Sequence, residues 1–126
     1  MSDVNPLGDV RVLELSHGVS AAYCGRQFAI WGADVVVLEP EEGHPVRRLH
    51  PFAKDSDISL TWANVAANKR TMTLAPVALA DLLSRADVLV TDYRDRELAA
   101  FGLSLAAIHR ANPALSVVSI TPFGFD

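Results

Sequence analysis

Residues 10–39 read VRVLELSHGVSAAYCGRQFAIWGADVVVLE, and the periodicity of this stretch decides the fold. Val10-Arg11-Val12-Leu13-Glu14-Leu15 is rich in β-branched residues with alternating apolar positions, which predicts a strand over 10–15. Ser16-His17-Gly18-Val19-Ser20 is a turn of small residues. A helix follows as far as Trp31. Ser20 is expected to cap it, and Ala21, Cys24, Phe28 and Trp31 fall at helical spacing, so they are expected to face the sheet. Gly25 sits inside that helix at a cost of about 1 kcal/mol relative to alanine, which a close approach of backbone or ligand would explain. Gly32 is the stop. Val35-Val36-Val37-Leu38 carries no alternation, the mark of a strand buried on both faces. Strand, helix and strand within roughly thirty residues make a parallel βαβ unit. The place to look for a ligand is the first strand-to-helix turn, where helix N–H groups point outward.

The rest of the chain continues the alternation. Residues 1–9 are polar, with Pro6 and Gly8, and read as a mobile lead-in. After Leu38, the run Glu39-Pro40-Glu41-Glu42-Gly43-His44-Pro45 cannot form a regular element, and residues 46–60 read as an exposed loop, functional or mobile, with room for a helical turn. A short helix is predicted from about Leu60 to Ala67, a strand over Thr71–Leu74, and a helix over 77–85 led by Pro76, with Leu79, Leu82 and Leu83 inward. Asp87–Thr91 is a buried strand, Asp95–Ala100 a short helix closed by Gly102, and Ser104 caps a further helix with Leu105, Ile108 and Ala111 on one face. Leu115–Thr121 is the last strand. Alternating β and α with apolar strands predicts an α/β fold: a Rossmann-like, open, mostly parallel sheet with helices on both faces, residues 1–126 forming one domain.

Composition narrows the function classes. Half of the 126 residues are hydrophobic and 21% are charged, a globular balance. A formal net charge of −4 argues against nucleic-acid binding through a general basic field. One cysteine, Cys24, rules out a disulfide framework. The opening MSDVNPLGD lacks a basic and then apolar leader, and no apolar run approaches the ~18–20 residues of a membrane span. A cytoplasmic location is expected, with neither membrane nor nucleic acid as a partner.

Few residues advertise chemistry. The spacing G-x-G-x-x-G is absent, so a nicotinamide site rests on Glu39 alone, at the second strand's end, where a ribose-binding acid would stand. His17 lies at the end of the first strand, a favoured binding position, but shows no partner in the sequence. A lone histidine is more often hydrogen-bonded structure than catalyst. Cys24 reads as a small core residue, and His17, Cys24, His44 and His50 have no metal-ligand spacing. Two basic pairs, Arg47-Arg48 and Lys69-Arg70, adjoin strand ends and suit phosphate oxygens. Asp92-Tyr93-Arg94 leaves a buried strand, and its tyrosine ring can line a crevice.

Five blocks, in order, resemble the class III CoA transferases, a family that includes the 2-methylacyl-CoA racemases. They are Pro6-Leu7-Gly8 with Val12-Leu13-Glu14-Leu15-Ser16; Trp31-Gly32-Ala33-Asp34-Val35 through Glu39; Asn68-Lys69-Arg70-Thr71-Met72-Thr73-Leu74; Ala86-Asp87-Val88-Leu89-Val90-Thr91-Asp92-Tyr93; and Asn112-Pro113 through Phe123-Gly124. The resemblance implies the N-terminal, Rossmann-like part of such an enzyme, with coenzyme A or an acyl-CoA as substrate and no covalently bound cofactor. It implies CoA contacts from Gly18, Val19 and Ser20 in the first turn, from Arg48 in the long loop, from Leu74, Ala75 and Pro76, and from Asp92, Tyr93 and Arg94. By the same resemblance the second substrate is a carboxylic acid, and the partner is a second copy, a C-terminal segment or another subunit. Apolar surface is then expected on residues 1–126.

The family's catalytic aspartate, and the histidine–aspartate pair of the racemases, lie further along than these residues. Asp126 is not assigned that role, and no catalytic residue is expected here. Three positions depart from the pattern: Pro40 and Ala100 stand where arginines are expected, and Asp92 stands for an asparagine. They favour an alternative, a non-catalytic interaction or regulatory domain that kept the fold and lost CoA binding.

Overall fold

The computed structural model describes residues 4–124. Its five strands are β1 (Arg11–Leu15), β2 (Asp34–Glu39), β3 (Arg70–Thr73), β4 (Val88–Thr91) and β5 (Ser116–Ser119). All pair in parallel, in the order β3-β2-β1-β4-β5. Val12 sits in register with Val35 on one side and Val88 on the other. The chain therefore builds outward from β1 in one direction, then returns to its other flank. The order reverses between β1 and β4, and in open α/β sheets the ligand crevice lies at that reversal, beyond the strands' C-terminal ends.

Strand alternation assigns the two faces. Val12, Val35, Val37 and Val90 point to the side covered by α1 (Val19–Ile30) and α2 (Leu60–Val65). Leu13, Leu15, Leu38 and Leu89 point to the side covered by α3 (Pro76–Arg85), α4 (Asp95–Ala100) and α5 (Leu105–Ala111). Both faces carry helices, as the alternation predicts. The edge strand β3 is exposed along its whole length, so its burial is weaker than that of the apolar strands β1, β2 and β4.

Several boundaries match local chemistry. Pro76 opens α3, Ser104 Oγ accepts the Ala107 N–H at 3.2 Å to cap α5, and Gly102 leaves α4 with φ of +78°. Other expectations fail for identifiable reasons. The residues of α1 buried against the sheet are Ala21, Ala22, Gly25 and Ala29. Small side chains let the helix lie close, so Cys24 and Phe28 pack at its flank and Trp31, beyond its last turn, is 57% exposed. Ser20 is not the cap: Gly18 is, with extended backbone, and the helix opens two residues earlier. Ala111 is exposed on α5, whose inward residue is Ile108.

The lead-in is docked over its described part. The Leu7 N–H donates to the Trp31 carbonyl at 3.0 Å, and Asn5 packs where a Cβ on Gly32 would stand. Residues 1–3 lie outside the described part. The loop after β2 is anchored too. It contains a 3-10 turn over Pro45–Arg48 that buries Val46, and a bridge between Phe52 and Ser59.

Candidate functional site

Two groups of ionisable side chains leave the end of β1. The first is buried on the α1 face. Glu14 is fully enclosed, and its Oε1 pairs with Lys69 Nζ at 2.5 Å. The ammonium also donates to the Ala22 carbonyl at 2.7 Å. The carboxylate's other oxygen accepts from the Ser16 hydroxyl at 3.0 Å, and Ser16 Oγ is 2.9 Å from His44 Nε2. Because the Val46 N–H donates to His44 Nδ1 at 3.1 Å, the ring proton resides on Nε2 and points at Ser16. The His44 N–H donates to Glu39 Oε2 at 2.8 Å, and Arg47 grips both oxygens of Glu39, at 2.7 and 2.6 Å. Arg47 in turn lies over the Trp62 ring, 4.3 Å from its centroid. Among the described residues, no buried side-chain nitrogen or oxygen of this network lacks a hydrogen-bond partner.

Its titration follows from burial. Desolvation raises the Glu14 carboxyl and lowers the Lys69 amine, against their mutual attraction. Desolvation also depresses His44 to about 4, while the Arg47 hydrogen bonds lower Glu39. Glu39 is thus a loop anchor, neither a free ribose ligand nor a solvated carboxylate. The two basic pairs read as phosphate ligands separate. Lys69 is consumed by Glu14, Arg47 by Glu39, and Arg70 by a two-pronged bridge to Asp34 at the opposite, N-terminal edge of the sheet.

Gly25 belongs to the same group. A Cβ there would stand 1.9 Å from Glu14 Oε1 and 3.0 Å from Lys69 Nζ. The close approach is by a buried carboxylate, rather than by backbone or ligand.

The second group lies in the crevice between β1 and β4. Asp92 receives the His17 N–H at 3.0 Å and the Gly18 N–H at 2.7 Å, and its Oδ1 is 2.8 Å from His17 Nδ1. The carboxylate therefore pins the turn that leads into α1 from another strand, and the N-cap Gly18 has no side chain to cap the helix. Tyr93 packs against His17 with centroids 4.7 Å apart and the rings tilted by 45°, and meets Phe101 edge-on at 5.5 Å. Burial raises its phenol. Together His17, Gly18, Val19, Ser20 and Asp92, with Ile120, Thr121 and Pro122 after β5, line a cleft of about 330 Å³.

Of the residues singled out in the sequence, the structure thus gathers Gly18, Val19, Ser20, Asp92 and Tyr93. Arg48 lines a separate cleft of about 450 Å³ with Arg47, Phe52, Asp57, Ile58, Ser59 and Trp62. Leu74, Ala75 and Pro76 lie where β3 passes into α3, the Leu74 N–H donating to the Glu39 carbonyl at 2.6 Å. The Arg94 N–H is taken by Glu97 at 2.6 Å as α4 begins. Asp126 lies outside the described residues. Sequence reasoning missed Asp92 as the partner of His17, and the Glu14–Lys69 pair. A charged residue at the apolar phase of a strand, as Glu14 is, was the available signal. Among the described residues no group of three or more His, Cys, Asp or Glu is placed to hold a metal ion, and no helix is long and apolar enough to cross a membrane.

A parallel sheet with this order and a ligand-sized cleft at its switch point defines a Rossmann-like domain. The chain belongs to CoA-transferase family III, matching it over residues 7–126. It is 30% identical to the succinyl-CoA–D-citramalate CoA-transferase of Chloroflexus aurantiacus, over 94% of this chain and 31% of that enzyme. It is 32% identical to the succinyl-CoA:mesaconate CoA-transferase of Haloarcula hispanica, over 94% and 32%. The crystal structure of a CaiB/BaiF family protein from Brucella suis superposes with a TM-score of 0.87 at 25% identity, covering 96% of this chain and 34% of that one. The chain spans about a third of the length of the relatives it matches.

Proposed function

We propose that residues 1–126 form a single CoA-holding domain, the N-terminal part of an enzyme that moves CoA from an acyl-CoA to a carboxylic acid. The match to CoA-transferase family III along residues 7–126 carries this reading. The relatives are named for succinyl-CoA, citramalate and mesaconate, which makes short dicarboxylic acids the substrate class to try first, with acyl-CoA racemisation as the other branch. Two features of the chain support it. The cleft at the switch point has the first turn of α1 in its wall, where the Val19 and Ser20 N–H groups have no carbonyl within the helix to bond. The separate cleft over the loop after β2 presents Arg48, whose guanidinium reaches only the Glu42 carbonyl among the described residues, at 3.4 Å.

No nucleophile for acyl transfer is assigned within these residues, so transfer requires further chain or a partner. Tyr23, Ile30 and Trp31 are exposed around α1, apolar surface of the kind that a partner or second copy covers. Sedimentation as a monomer at high concentration would count against that association.

The alternative, a domain that keeps the fold without CoA, is favoured by one observation. Asp92 already occupies, with its own negative charge, the His17 and Gly18 N–H groups that an anionic ligand would use. Calorimetric titration with CoA and acetyl-CoA separates the readings. Micromolar binding is expected. Silence to millimolar CoA from both the natural chain and an Asp92→Asn variant would favour the alternative.

A further inference from the structure

The His17–Asp92 pair does more than pin the turn before α1. The Asp92 carboxylate is fixed from two sides, by the His17 and Gly18 N–H groups, and holds His17 Nδ1 at 2.8 Å. A carboxylate against Nδ1 places the ring proton there, so Nε2 carries the lone pair. That nitrogen has no hydrogen-bond partner among the described residues, and the side chain is 48% exposed where it lines the 330 Å³ cleft. Tyr93 packs against the ring, restricting its rotation. An imidazole that lines a cleft, oriented by a largely enclosed carboxylate and with its basic nitrogen unbonded among the described residues, is the arrangement of a general base. His44 is the internal contrast: both its ring nitrogens are engaged, which leaves it no lone pair to offer.

We propose that His17 is a general base that activates water against the acyl thioester, with Asp92 as its positioning residue, giving this chain a hydrolytic activity separate from CoA transfer. His17 Nε2 takes a proton from water as the water oxygen bonds to the thioester carbonyl carbon. The oxyanion so formed faces the first turn of α1, with its unpaired Val19 and Ser20 N–H groups. Collapse breaks the C–S bond, and the departing CoA thiolate is protonated from His17 Nε2. The products are the free acid and CoA thiol, and no redox partner is needed. The choice of an acyl-CoA as the ester rests on the function proposed above; the dyad itself does not.

The charged and titratable groups around the ring are few. Asp92 and Tyr93 come from the end of β4; Glu97 of α4 and Glu42 of the β2 loop stand close enough to act on Tyr93; and the first turn of α1 brings no acid. The Asp92 charge also acts on the buried Glu14 and His44.

The test uses the whole chain with two probes: p-nitrophenyl acetate, which needs no CoA site, and acetyl-CoA, followed by release of free thiol. Hydrolysis of both above the buffer rate is expected. His17→Gln should lower each by about a hundredfold with an unchanged circular dichroism spectrum. Asp92→Asn should lower the rate at pH 7 by about tenfold or more and displace the pH profile, a change that a merely structural cap would not produce. Equal rates for the natural chain and His17→Gln, or no hydrolysis of p-nitrophenyl acetate by a folded chain, would overturn the proposal. Hydrolysis of p-nitrophenyl acetate without any binding of CoA would leave the dyad standing and refute the CoA-holding reading instead.

Discussion

Glu14 is the penultimate residue of β1 and His17 lies two residues past its end, and each is paired with a charged residue distant in sequence. Their surroundings make the pairs opposites. Glu14 and Lys69 are sealed, with side-chain exposures of 0% and 1%, and each neighbouring polar group completes another hydrogen bond. His17 and Asp92 are exposed to 48% and 10%, and the pair ends on a free ring nitrogen. In the sealed pair, charge is committed to holding α1, the start of β3 and the loop after β2 together. In the open pair, an equally well-fixed carboxylate orients a base toward solvent. Pairing alone therefore does not distinguish architecture from chemistry; the unfilled valence does.

The comparison can be broken most forcefully at Lys69. Lys69→Met would leave the Glu14 carboxylate buried without its partner, and a loss of about 3–5 kcal/mol is expected in urea unfolding. Adding Glu14→Gln should recover most of it. Loss by the double variant equal to that of the single would show that packing, and not the charge pair, matters.

Next comes Gly25→Ala. An exposed helical glycine normally gains about 1 kcal/mol on this change, but the Cβ would stand 1.9 Å from Glu14 Oε1. A loss of roughly 1–3 kcal/mol is expected, turning into a gain when Glu14 and Lys69 have already been replaced by Ala and Met. The same sign in both backgrounds would disprove the steric account.

pH tests the sealed group as a whole. His44 titrates at about 4 when folded and near 6.5 when unfolded. The unfolded chain then binds more protons between these values, so stability is full above about pH 6.5 and falls as pH drops toward 4. The loss from pH 7 to pH 5 should be roughly 1–2 kcal/mol after allowance for solvent screening. His44→Gln should flatten this slope, measured as the urea midpoint against pH. Glu39, with its lowered carboxyl, adds stability above about pH 4.5 that is lost in more acid solution. The smallest effect is expected at Arg70. Its bridge to Asp34 is well formed but exposed on both sides, so Arg70→Gln should cost about 0.5 kcal/mol or less.

The order of elements was legible in the sequence because local signals carried it: the apolar run 35–38, Pro76 leading α3, Gly102 after α4 and Ser104 before α5. The site was legible only as a location. Val19 and Ser20 could be placed at the switch point from the strand–turn–helix pattern, but nothing local says that Asp92 reaches across 75 residues to His17. Lys69 and Arg70 are neighbours in sequence with unrelated fates, one running under α1 and the other turning to the sheet's opposite edge. Pairings of that kind are set by strand order and register, which emerge only when the sheet is assembled. The misplacement of Trp31 has a different origin: helical spacing identifies a face, and the small residues Ala21, Ala22, Gly25 and Ala29 decide which face can approach the sheet.

Gly25 also constrains the history this chain can have had or will have. While Glu14 is long and Lys69 is charged, the α-carbon of residue 25 has no room for a substituent. Replacing Glu14 alone strands a buried ammonium, and replacing Lys69 alone strands a carboxylate. The order of least clash at residue 25 therefore replaces the charged pair first and the glycine last. Once residue 25 carries a side chain, the way back is uphill: a later return of glutamate to position 14 would bring its carboxylate against that methyl group. Relatives in which position 25 is not glycine should accordingly lack the pair.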